Sequence, residues 1–194
     1  MKKELSKADI LSLLERINDE LRTRNIFGEI FLVGGAALSL VYGARDSTFD
    51  IDGIFEPKNE ILEIAHRIAQ EKDLEAVWLN DAAKGFISPQ MENDKDVYKE
   101  FSNLIVTAAG SKSLLAMKLT SARRGSNDQK DALFLMKQVD VKSESELLNL
   151  IEKYTDKQLQ TAQSYFFVKE VYSQYRKNQH LKKTNKKNND ELDR

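Results

Sequence analysis

The chain has no cysteine, which excludes disulfides, a thiolate nucleophile and cysteine-ligated zinc. A reducing compartment fits that absence, and the expected location is the cytoplasm. Only two histidines are present, His66 in an amphipathic stretch and His180 near the polar end, too few and too scattered for a histidine metal cluster. Long apolar runs are missing as well. The opening MKKELSKADILSLLERINDELRTRN spreads charges among its apolar positions, unlike a signal peptide, and no later segment approaches a membrane-spanning length. Charge of one sign is also lacking: 30 basic against 31 acidic residues leave a formal charge of −1, so a nucleic-acid surface would have to be local. No internal repeat is visible.

With 194 residues, 41% of them hydrophobic, the chain can bury a substantial core. Its most informative stretch is FLVGGAALSLVYGARDSTFDIDGIF, residues 31–55. Phe31, Leu32 and Val33 form an apolar strand that stops at Gly34-Gly35, where the missing Cβ atoms allow a sharp turn and close approach of a ligand. A helix over Ala36 to Tyr42 follows, with Gly43 as its stop. Its N-terminal amides would favour a bound phosphate. Phe49 to Phe55 then alternates with period two, which places Asp50 and Asp52 on one face of a strand and Phe49 and Ile51 on the other. Two carboxylates on one face repel unless a cation lies between them, and Mg²⁺ is the natural candidate, with Mn²⁺ as the alternative ion.

The remaining pattern is an α/β (α+β) front and an α-rich back. Ser6 caps a first helix whose buried stripe is Ile10, Leu13, Leu14, Ile17 and Leu21. Pro57 opens a helix with Ile61, Leu62, Ile64, Ala65 and Ile68 inward. Leu74 to Leu79 and Leu104 to Ala108 read as strands, Gly85 to Pro89 as a short segment or loop, and residues 90–100 as an exposed connection. Trp78 reads as core. Helices are expected over about 112–124, 127–138, 143–153 and 156–176. In the last of these, Tyr165, Phe166, Val168, Val171, Tyr172 and Tyr175 read as core. The expected division is a core over 1–110, a helical part over 111–176 and a flexible polar, basic tail over 177–194, whose Lys/Asn bias cannot offset ordering entropy.

In the helical part, Lys118 interrupts the apolar LLAMKL run, either as a cation snorkelling towards a cavity or as a surface lysine. Arg123 and Arg124 read as a phosphate clamp and a helix cap, in an order the residues leave open. Asp128 and Asp131 share a helix face. They could orient Lys118 or an arginine, activate a substrate hydroxyl, or stabilise a helix start as exposed first-turn acids worth about 0.3–1 kcal/mol.

The Gly-Gly turn followed by Asp-x-Asp resembles the nucleotidyltransferases of the DNA polymerase β superfamily. Arg45, Ser47 and Thr48 before the DID, and the block LLAMKLTSARRGSNDQKDALFL at 114–135, resemble its bacterial toxin and abortive-infection branch. The two blocks and the segment between them cover roughly residues 30–138. The resemblance implies a mixed sheet flanked by helices, with a helical C-terminal region. It also implies Mg²⁺-dependent transfer of a nucleoside monophosphate from a nucleoside triphosphate to a hydroxyl of RNA such as tRNA, of protein or of a small molecule. In that reading Asp50 and Asp52 hold the metal, and Lys118 and Asp131 join them as catalytic groups. Gly34, Gly35, Arg45, Ser47, Thr48, Lys118, Arg123, Arg124 and Asp128 bind the nucleotide. A cognate antitoxin is the implied protein partner, and no membrane is involved. One departure matters: the Leu104–Ala108 strand lacks the third carboxylate found in many superfamily members. Glu75, Asp81, Asp128 and Asp131 are the candidates to replace it, and a catalytically inactive binding or regulatory protein is the competing reading.

Overall fold

A computed structural model describes residues 3–121 and 127–192. The chain forms two compact units, Met1–Leu114 and Leu115–Arg194, with the boundary inside one helix. The first unit opens with β1 (Leu5–Ser6) and α1 (Lys7–Thr23), then β2 (Gly28–Val33), α2 (Gly34–Leu40), β3 (Ser47–Thr48), β4 (Ile51–Glu56) and α3 (Lys58–Lys72). It continues with β5 (Leu79–Asn80), a short 3-10 turn (Ala82–Phe86), α4 (Pro89–Asn93), β6 (Lys95–Glu100) and β7 (Leu104–Ala109). The helix α5 (Ser111–Ser121) crosses the boundary, and α6 (Asp128–Val139), α7 (Glu144–Tyr154) and α8 (Ala162–Leu192) follow.

Five strands make a mixed sheet in the order β5-β4-β2-β7-β6, and β1 and β3 pair separately. The central β2 runs antiparallel to β4 and parallel to β7. The registers place Ile30, Leu32, Ile51, Gly53, Phe55, Leu104, Val106 and Ala108 on one face. Leu21 of α1 and Ile61 of α3 close on that face at Gly28, where a Cβ would come 2.8 Å and 3.3 Å from their methyl groups. The helical periods explain this cover. Ile10, Leu13, Leu14, Ile17 and Leu21 are buried on α1, and Ile61, Ile64, Ala65, Ile68 and Ala69 on α3. Ser6 and Asp9 form a reciprocal capping box that starts α1. Buried Asn18 accepts the Asn103 amide at 2.8 Å and so fastens α1 to the β6–β7 turn. Trp78 is core, its indole donating to the Ala65 carbonyl at 3.0 Å.

In the second unit α8 packs with α6 and α7. Ala132, Leu135, Met136, Leu147, Ile151, Phe167, Val168, Val171 and Tyr175 are buried.

Several expectations need correction. The segment before β4 leaves extended pairing at Phe49, which is exposed, so the strand begins at Ile51 and Asp50 precedes it. Leu74 to Trp78 is an irregular stretch ending in a turn, and only Leu79–Asn80 pairs, beside Ile51 and Asp52 of β4. Residues 90–100 hold α4 and an edge strand; their polarity reflects an edge exposed on its outer side. Leu62 is only half-buried, and Tyr165 and Phe166 are exposed while Phe167 points inward, a shift set by the start of α8 at Ala162.

Candidate active site

The Gly-Gly turn is the centre of the site in the first unit. Val33 is extended, Gly34 has φ +61°, and α2 departs at once. That left-handed φ disfavours any side chain. Register pairs Val33 with Asp52 across β2 and β4. A Cβ at Gly34 would stand 3.0 Å from Asp52 Oδ2. A Cβ at Gly35 would stand 2.5 Å from Thr48 Oγ1 and 3.2 Å from an Arg45 guanidinium nitrogen. Gly34, Gly35, Arg45, Thr48 and Asp52 are therefore one cluster, and both glycines are needed for it to close.

Thr48 is buried and donates to the Asp50 carbonyl at 3.2 Å, which ties the segment before β4 to the cluster. Ser47 faces elsewhere: its hydroxyl donates to Glu4 at 2.6 Å beside the β1–β3 pair. Asp50 and Asp52 are both half-buried.

Of the third-carboxylate candidates, Asp81 and Glu75 lie in the first unit. Asp81 pairs with Lys58 at 2.5 Å, and that ammonium holds its carboxyl below the usual range. Glu75 is exposed in the turn before Trp78. The residue in register beside Asp52 on β5 is Asn80, whose side-chain Oδ1 accepts the Ala82 amide at 2.9 Å. Sequence reasoning did not single out Asn80, because a two-residue strand carries no periodicity. Among the described residues no group of three His, Cys, Asp or Glu could hold a metal ion.

The second unit contains a buried charged cluster. Lys118 Nζ lies 2.7 Å from Asp128 Oδ1 and 3.1 Å from Asp131 Oδ2, with side chains 7%, 4% and 3% exposed. Ser121 Oγ donates to the other Asp128 oxygen at 3.0 Å. Lys118 therefore neither snorkels nor sits on the surface, and the two acids are buried ion-pair members instead of exposed first-turn stabilisers. Arg123 and Arg124 lie outside the described residues.

A mixed sheet flanked by helices, with a glycine turn closing on a strand-borne aspartate, is consistent with a nucleotidyltransferase-like fold. The chain belongs to the family described as nucleotidyltransferase of unknown function (DUF6036), whose model matches residues 8–180. Membership makes it a nucleotidyltransferase at the level of class, with a nucleoside triphosphate as the substrate that class implies. Neither a curated protein nor a solved structure matches the chain. Among the described residues no helix is long and apolar enough to cross a membrane.

Proposed function

We propose that this protein is a cytoplasmic, Mg²⁺-dependent enzyme that transfers a nucleoside monophosphate from a nucleoside triphosphate to a hydroxyl acceptor. The observation that carries this reading is the Cβ-free cradle at Gly34-Gly35, walled by Asp52, Thr48 and Arg45. Phosphate oxygens need close backbone approach, a hydroxyl donor and a cation, and these residues supply all three. The donor set also suits Mg²⁺. Asp50 and Asp52 would be its protein ligands, since this ion takes one or two carboxylates and completes its octahedron with water and substrate phosphate. Bound there, it would neutralise triphosphate oxygens and lower the pKa of the attacking hydroxyl. The chain's own groups would align the triphosphate: the glycine backbone admits it, Thr48 would donate to it on releasing the Asp50 carbonyl, and Arg45 balances its charge.

The ARDSTFDID and 114–135 blocks favour the toxin and abortive-infection branch, with a cognate antitoxin as partner. The competing reading, an inactive nucleotide-binding protein, draws on Asn80 standing beside Asp52 in place of an acid.

Incubation with each α-labelled nucleoside triphosphate, Mg²⁺ or Mn²⁺, and total RNA, protein extract or small hydroxyl compounds separates these readings. Label should move to one acceptor class and stop moving in Asp50→Asn, Asp52→Asn. Nucleotide binding with no transfer to any acceptor would favour the inactive protein.

A further inference from the structure

β6 is the outer strand of the five-stranded sheet, and five of its six residues are exposed. Val97 stands 58% exposed at its middle. Open edges are usually blunted by charged side chains, by proline, by bulges or by covering chain; β6 has charges and a bulge, but its charges are of both signs. The sequence here is Lys-Asp-Val-Tyr-Lys-Glu, and its charges are complementary to their own reversal. Laid antiparallel on a second copy with Lys95 opposite Glu100, the strand brings Asp96 opposite Lys99 and Val97 opposite Tyr98. None of the four charged residues has an ion-pair partner among the described residues.

A regular strand could not use this register, because residues five apart point to opposite faces. β6 is not regular. It pairs Val97 with Thr107 and Lys99 with Val106, so Tyr98 is an extra residue in a bulge. The bulge shifts the alternation by one. Lys95, Val97 and Glu100 share the face of Ala109, Thr107 and Ile105, while Asp96 and Lys99 share the face of Ala108 and Val106. A two-fold axis perpendicular to the sheet then puts each opposite-charge pair on a common face. Cross-strand pairs of opposite charge stabilise such a ladder, and like charges directly opposite destabilise it.

We infer that β6 pairs antiparallel with β6 of a second copy of this chain, joining two five-stranded sheets in an isologous dimer. Two Lys95–Glu100 and two Asp96–Lys99 pairs set the register, and Val97 covers Tyr98 at the axis.

Sedimentation velocity across a concentration series tests this on the full-length protein, on Lys99→Glu, on Asp96→Lys and on the double variant. The sites are exposed, and circular dichroism checks that each variant keeps its fold. The unaltered protein should dimerise. Each single reversal sets like charges opposite each other twice per dimer and should weaken association by about tenfold or more. The double reversal restores opposite charges and should restore the dimer. A protein that stays monomeric throughout overturns the inference. So does a dimer indifferent to the single reversals, or one that the double reversal leaves as weak as the singles.

Discussion

Removing the Lys118 ammonium is the most demanding perturbation of the second unit. Lys118→Met keeps the length and apolar stem of the side chain but leaves the Asp128 and Asp131 carboxylates without the cation 2.7 Å and 3.1 Å away. All three side chains are at least nine-tenths buried, so water cannot replace the lost charge. Taking one partner from a buried ion pair costs about 3–5 kcal/mol, a large share of the roughly 5–15 kcal/mol that holds a domain folded. Asp131→Asn should cost far less, about 1–2 kcal/mol, because the 2.7 Å Lys118–Asp128 pair survives as a neutral unit. Asp128→Asn should fall between them, since it weakens both the Lys118 pair and the Ser121 hydrogen bond. Urea denaturation followed by helical circular dichroism, with m-values compared, gives the order directly. A Lys118→Met variant as stable as the parent, or less damaged than Asp131→Asn, would refute the buried-triad account.

Gly35→Ala should weaken nucleoside triphosphate binding by about tenfold or more, as measured by calorimetric titration. Alanine favours the helix by about 1 kcal/mol, yet its Cβ must displace the Thr48 hydroxyl 2.5 Å away; adding Thr48→Ala should recover stability in urea without recovering binding. Tyr42 donates to the Ala109 carbonyl at 3.0 Å, and burial, then Asp96 and Asp94, push its phenol above the usual range. A raised folded-state pKa means that its stabilising contribution is complete below the unfolded value of about 10 and is lost as pH rises through the folded value. Tyr42→Phe should therefore flatten the alkaline loss of stability in that window, and an unchanged alkaline profile would count against the assignment.

The sequence-legible parts of the fold are those where one period runs long enough to be seen. α1 and α3 each carry five buried apolar residues at helical spacing and matched expectation at nearly every position. β7 is an apolar run broken only by Thr107, and the turn is marked by Gly34, whose positive φ favours glycine. The misread parts are short or have one side open. β5 has two residues, and β6 is an exposed edge whose bulge breaks the alternation that would reveal it. Asp50 and Asp52 looked like members of one regular strand, but pairing starts only at Ile51, with Phe49 exposed and the Thr48 side chain holding the preceding backbone. The Lys118 cluster was half legible. Spacing put Asp128 and Asp131 on one face of α6, whereas their burial depends on packing that no local pattern encodes.

The central claim, that Asp50 and Asp52 hold a divalent ion against a triphosphate seated on the Gly34-Gly35 cradle, is tested most directly by equilibrium nucleotide binding with and without Mg²⁺. Binding to the unaltered protein should require the ion, and chemical-shift changes should include residues 33–37 and 47–52. In Asp50→Asn, Asp52→Asn the ion's contribution should vanish while the circular dichroism spectrum stays unchanged. A folded double variant that binds nucleoside triphosphate with the same Mg²⁺ dependence as its parent would contradict the account.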